Sequence, residues 1–153
     1  MQITFSPSNG IQNAGSEPLV NTNWSYFLGT NVFTSSPIIN EFMAANNHTL
    51  RDEDNDYSDW IELANTNSTT LSLLGYHLSG QSGNLVQWTF PDVVMPARSY
   101  LVVFASGKNH AVAGRQLHTD FKLKAAGDYL ALVAPDGTNI LQQFTPTYPP
   151  QAG

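Results

Sequence analysis

The feature that most constrains this chain is its punctuation. Between residues 37 and 144, short apolar runs recur roughly every 8–15 residues, each closed by Gly, Pro, Asn or Asp. The runs cover 38–44, 59–64, 71–78, 86–90, 100–105, 119–123, 129–133 and 139–144. Between them stand Asn46-Asn47, 65–68, 80–84, Pro91-Asp92, Ser106-Gly107, Gly127-Asp128 and Pro135-Asp136-Gly137. A chain interrupted this often has no room for long helices. About eight short strands joined by tight turns predict an all-β sandwich or barrel.

Periodicity agrees. In Asp59-Trp60-Ile61-Glu62-Leu63, Ile61 and Leu63 share one face and Trp60 and Glu62 the other. Tyr129-Leu130-Ala131-Leu132-Val133 and Tyr100-Leu101-Val102-Val103-Phe104 are apolar on both faces, as central strands are. Pro135-Asp136-Gly137 between two such runs predicts a hairpin. One turn of helix is expected within 108–116.

The flanks read differently. Residues 1–36 form an N-terminal arm or the remnant of a preceding segment. It holds short apolar pieces at Ile3-Thr4-Phe5 and Trp24-Ser25-Tyr26-Phe27 and a candidate turn at Asn9-Gly10. Such an arm can add a strand to a sheet edge, in its own chain or in a second copy. Residues 145–153, PTYPPQAG with the preceding Thr145, carry three prolines and predict an extended linker.

Composition shows how such a chain stays soluble. Only 12% of residues are charged, against roughly 25% in ordinary globular chains. Fourteen Asn, thirteen Thr and thirteen Ser fill the polar surface instead, and 17 aromatics suffice to anchor a core. A net charge of −6 with only six Lys and Arg argues against nucleic-acid and anionic-membrane partners. No apolar run approaches the roughly 18 residues that span a bilayer. The opening MQITFSPSNG lacks the basic and apolar regions of a signal peptide. With no cysteine, disulfides, thiol catalysis and thiolate metal sites are excluded. The balance of few charges and many small polar residues fits an exported module, so an extracellular or cell-surface location is expected.

The scarce charge is concentrated. Six of the twelve acids lie at Asp52, Glu53, Asp54, Asp56, Asp59 and Glu62. Asp52, Asp54 and Asp56 have the alternate spacing by which a curled loop converges carboxylates on one hard cation. A strict EF-hand is rejected: Tyr57 stands where Gly is required, and position twelve is Leu63. A calcium-stabilised loop using Asp52, Asp54, Asp56 and Asp59 stays open beside a solvated acidic loop whose aspartates cap turns. Arg98, Lys108, Arg115, Lys122 and Lys124 lie in the other half of the chain, and a solvated basic face is expected for them.

Other chemistry is sparsely marked. His48, His77, His110 and His118 show no H-x-H or H-E-x-x-H spacing. The expectation is four satisfied or exposed histidines, with zinc assembled from distant ones as the alternative. Gly80-Gln81-Ser82-Gly83 is not a nucleophile elbow, and phosphate-binding glycine motifs are absent. Trp60 and Trp88 lie among apolar neighbours and are expected to be core or half-buried. Trp24, in the arm, is the candidate for an exposed sugar-stacking platform.

From Ser36 onward the chain resembles the lamin-tail domain, most closely its bacterial versions in large exported proteins. Pro37-Ile38-Ile39-Asn40-Glu41-Phe42-Met43-Ala44-Ala45-Asn46 matches the family's opening strand. Asp52-Glu53-Asp54-Asn55-Asp56-Tyr57-Ser58-Asp59-Trp60-Ile61-Glu62-Leu63 is similar to its acidic block, with Asn55 in the place of Gly. Gly75-Tyr76-His77-Leu78-Ser79, Trp88-Thr89-Phe90-Pro91, residues 100–107, His118-Thr119-Asp120-Phe121-Lys122-Leu123 and residues 127–132 follow in the family's order. The resemblance covers 37–144 and implies an immunoglobulin-like β-sandwich with no catalytic residues. It also implies that the acidic block is part of the bacterial pattern. In lamins the domain is a docking surface; in bacterial chains it accompanies other exported domains. No coiled-coil rod supports a filament role here.

Three functions compete on these grounds. The first is a non-catalytic interaction or spacer module of an exported multidomain bacterial protein, meeting a protein, a cell surface or other domains of its own chain. The alternatives are a carbohydrate-binding module and a hydrolase of unrecognised type.

Overall fold

The computed structural model describes Gln2–Ile3, Ser25–Phe27 and residues 36–152. Among the described residues all regular structure is β. The strands are β1 (Gln2–Ile3), β2 (Ser25–Phe27), β3 (Ile38–Met43), β4 (Trp60–Ala64), β5 (Leu71–Ser72), β6 (His77–Ser79), β7 (Trp88–Thr89), β8 (Val94–Met95), β9 (Tyr100–Phe104), β10 (Leu117–His118), β11 (Leu130–Val133) and β12 (Ile140–Thr145).

They form a six-stranded sheet, β1-β2-β12-β11-β6-β7, a four-stranded sheet, β10-β9-β4-β3, and a small β5-β8 pair. Every pairing is antiparallel except β10 on β9. One apolar cluster draws Ile39, Ile61, Leu63 and Val103 from the smaller sheet and Leu78, Trp88, Leu130 and Leu132 from the larger. The alternation in β4 does what its sequence implies: Ile61 and Leu63 are fully buried, and Trp60 and Glu62 are half-buried. In β11, Leu130 and Leu132 enter this core while Ala131 and Val133 join Tyr129, Leu85 and Ile140 on the other face. That explains an apolar run with no polar alternation.

A cross-sheet tie reinforces the packing. β3 carries a bulge at Asn40, where its pairing with β4 shifts register. There the buried Gln142 side chain of β12 accepts from Ile39 N–H at 2.8 Å and donates to Ile39 C=O at 3.1 Å.

Several expectations are corrected. The 71–78 run is two strands, because Leu73 to Tyr76 close a turn: Tyr76 N–H donates to Leu73 C=O, and Gly75 has φ 77°. The 119–123 run is irregular; its strand lies earlier, at β10, and the run is tied back by a Lys122–Ser106 bridge and by single backbone hydrogen bonds such as Gly107 N–H to Phe121 C=O. β8, between Pro91 and Pro96, has no counterpart among the expected runs. Within 108–116 there is one turn, Arg115 N–H to Val112 C=O, with Gly114 at φ 80° and no helix. The Pro135-Asp136-Gly137 hairpin forms as expected, Asp136 Oδ1 accepting from the N–H groups of Thr138 and Asn139.

The tail is not a free linker over 145–152. Tyr148 is fully buried in the main core, with its ring edge-on to Phe42. Its hydroxyl donates to Lys124 C=O and accepts from Lys124 N–H. Gln151 Oε1 accepts from Ala44 N–H, and Gln151 N–H donates to Ala125 C=O. The arm contributes β2, which pairs with β12 in the same chain, and β1 pairs with β2. Asn9-Gly10 lies outside the described residues. Among the described residues no helix is long and apolar enough to cross a membrane.

Candidate metal centre

The acidic block folds into a tight turn organised by Asp52. Its Oδ1 accepts from the N–H groups of Asp54 and Asp56, and its Oδ2 from Ser58 Oγ at 2.7 Å. Asp52 N–H donates to Asp56 C=O and Asn55 N–H to Asp52 C=O, both at 2.9 Å. The turn requires φ 66° at Asn55, which is the reason glycine suits this position and asparagine tolerates it. Arg51 braces the outside: it donates to Asn55 C=O and lies 4.1 Å over the Tyr57 ring.

The turn brings Asp52, Asp54 and Asp56 together, as their spacing predicts. At their centre stands the ammonium of Lys108, 2.7 Å from Asp52 Oδ2, 2.6 Å from Asp54 Oδ2 and 2.9 Å from Asp56 Oδ2. Lys108 therefore does not belong to a solvated basic face. A calcium ion at this point, bound at its usual 2.3–2.6 Å, requires the ammonium to leave. Asp59 does not join the group. Its Oδ1 accepts from Asn46 N–H at 3.1 Å, and the buried Asn46 amide holds the loop by donating to Leu50 and Ser58 carbonyls.

Electrostatics follow the geometry. Burial pushes the Asp52 carboxyl up. Hydrogen bonds from Lys108, Ser58 and the two backbone N–H groups outweigh it and hold the group at about 2. Desolvation lowers the Lys108 ammonium, but its three carboxylate partners raise it further, well above the usual lysine value. At Asp59 burial dominates, and its carboxyl is pushed up.

A second group forms beside this knot. β10 ends at His118, which bridges backbone to backbone with His110; His118 N–H donates to His110 C=O at 2.9 Å. The His118 ring is fully buried, stacked on Phe104 at 5.3 Å and edge-on to His110 at 5.2 Å. Its Nδ1 lies 2.9 Å from Ser106 Oγ, and its Nε2 has no hydrogen-bond partner. Glu53 overhangs both rings, with Oε1 3.7 Å from His110 Nδ1 and 4.0 Å from His118 Nε2. Burial lowers the His118 imidazole, with Lys108 and His110 adding to it and Asp52 and Glu53 opposing, so the ring is neutral near pH 7. The expectation of four satisfied or exposed histidines fails at His118. His77, by contrast, is buried with Nδ1 against Thr89 Oγ1 at 2.9 Å.

Sequence spacing could not have found this group. Its signal is a bridge between residues eight apart across an irregular loop, plus a glutamate more than fifty positions earlier. Trp24, the sugar-platform candidate, lies outside the described residues. Trp88 is buried and Trp60 half-buried, as expected.

The family model described as Lamin Tail Domain matches residues 34–147. The chain belongs to the lamin tail domain family. A search of the curated proteins returns no match. The lamin tail domain is a non-enzymatic, immunoglobulin-like fold, and the all-β sandwich described above is its form in this chain. The match begins before β3 and ends just before Tyr148, so β1 and β2 lie outside the matched residues.

Proposed function

We propose that this lamin tail domain is a non-catalytic interaction or spacer module of an exported, multidomain bacterial protein. Its partner is a protein or the cell surface. The non-enzymatic character of the family supports the coarse reading. The observation that supports a docking role is an open, largely apolar groove of about 410 Å³, lined by Val93, Val94, Leu101 and Leu117 with Asp92 and Arg115 at its polar positions. Val94, in its wall, is 56% exposed, and Val112, beside its Ala113 flank, is 59% exposed. An apolar groove edged by charged side chains offers a partner a place to seat an apolar side chain.

The test is retention on isolated bacterial envelopes. Labelled wild-type domain and Val94→Asp are applied to intact envelopes, to protease-treated ones and to ones stripped of polysaccharide by glycosidases. Retention lost on protease treatment and in Val94→Asp supports the reading. Retention lost only with the glycosidases, and equal in both proteins, replaces it with a carbohydrate-binding module.

A further inference from the structure

The acidic turn and the 105–118 segment meet at a point that the Lys108 knot does not use. A fully buried imidazole nitrogen with no partner is rare, because losing water without a replacement hydrogen bond is costly. His118 Nε2 is such an atom, and beside it lie the donor atoms of His110 and Glu53. The ligand atoms of the three residues all fall within 4.8 Å of one another. We infer that Glu53, His110 and His118 form a zinc site with its fourth position open to water.

The donor set is right for the metal. Two imidazoles and one carboxylate, with water completing a tetrahedron, form a recurrent zinc environment. Ligands at about 2.0–2.1 Å from a tetrahedral ion stand roughly 3.3 Å apart, and cis ligands of an octahedral ion closer still. The observed 3.7 and 4.0 Å are nearer the tetrahedral spacing. The contraction needed falls on the side chains able to move, since Glu53 and His110 are at the surface while His118 is held.

The supporting shell is also in place. A ligating histidine ordinarily hydrogen-bonds through its other nitrogen, which fixes the tautomer. Ser106 Oγ occupies that position at His118 Nδ1. With Nδ1–H donating to it, Nε2 presents its lone pair to the site. Ser106 Oγ is itself fixed by accepting from Lys108 N–H at 3.2 Å. Glu53 is positioned from two sides: its N–H donates to Gln116 Oε1 at 2.8 Å, and its neighbours Asp52 and Asp54 are clamped to Lys108. The four carboxylates of residues 52–56 exceed the single ammonium between them, so the local field favours a cation.

Untagged protein is titrated with zinc against a chromophoric chelator, and with cobalt(II) followed by its visible ligand-field bands. The expected result is one ion per chain and the intense bands of four-coordinate cobalt. Glu53→Gln and His110→Gln, both surface substitutions, should keep the near-ultraviolet circular dichroism of the fold and each weaken binding at least about tenfold. Asp54→Asn, which removes one carboxylate of the surrounding field but no ligand, should weaken binding far less than either. Two results overturn the assignment. One is no uptake by the wild type against the chelator. The other is loss of binding in Asp54→Asn with retention in His110→Gln, which moves the ion onto the aspartates.

Discussion

Gln142 hydrogen-bonds both backbone polar groups of Ile39, a residue 103 positions away on the opposite sheet. The bulge at Asn40 interrupts the ladder there, and a side-chain amide supplies the donor and acceptor in its place. Replacing it leaves two buried backbone groups unpaired. Gln142→Leu should lower the unfolding free energy by about 2–4 kcal/mol. Gln142→Glu should fare little better, because it keeps an acceptor but loses the donor and buries a charge. Urea denaturation of both variants checks this; a loss under about 0.5 kcal/mol in Gln142→Leu, within the range of an ordinary surface change, would sink it.

The Lys108 knot predicts an exchange of cations. Wild-type protein should show no rise in melting temperature with added calcium, because the ammonium already stands among the three carboxylates. Lys108→Met should be less stable by about 2 kcal/mol, since Asp52 keeps a buried charge without its cation while Asp54 and Asp56 stay partly solvated. Calcium should then recover part of the loss. Thermal melts of both proteins with and without calcium decide it, and an equal calcium shift in the two would refute the exchange.

Acid should unpick the same turn. The Asp52 carboxyl titrates at about 2 in the fold, below its ordinary value of 3.8. Its contribution, at most about 2 kcal/mol, is therefore complete above about pH 5 and lost as pH falls through 3.8 and on through 2. Asp59 and Asp120 are pushed up by burial and act in the opposite sense. The informative quantity is thus the difference between wild type and Asp52→Asn, which should shrink over that interval. Denaturant melts from pH 2 to 6 measure it.

The docked tail should be worth as much as a strand. Tyr148 fills a fully buried position and engages Lys124 through its hydroxyl. Tyr148→Ala should cost about 3–5 kcal/mol. Gly127, at φ 100°, lies so close to the Tyr148 carbonyl that an added Cβ would collide with it. Gly127→Ala should accordingly cost about 2 kcal/mol or more through strain alone. Chemical denaturation that leaves either variant at wild-type stability would show the tail to be an ornament.

What could be read in the sequence was local. The faces of β4 and β11 follow from alternation because burial sorts neighbours within one strand. The acidic turn was legible because three aspartates two apart converge whatever lies around them, and φ 66° at Asn55 accounts for the glycine expected there. Lys108 was not legible as their partner: it arrives from a loop more than fifty residues on, and no local pattern encodes that approach. The docking of Tyr148 is illegible for a related reason. Prolines forbid ladder pairing, but they do not prevent a side chain between them from entering a core. The role of His118 is not legible in the sequence because it lies in an atom without a partner, which only packing creates.

The bulge in β3 bears on how copies could meet. Among the described residues, the six-stranded sheet ends on β1 and β7 and the four-stranded one on β10, each two residues long. Stubs of that length offer almost no template to another chain. β3 is the long edge, and Gln142 already occupies the backbone of Ile39 within it. Two molecules joined there edge to edge would spend that edge on each other. Among the described residues, an assembly built on that edge closes as a pair rather than lengthening into a fibre.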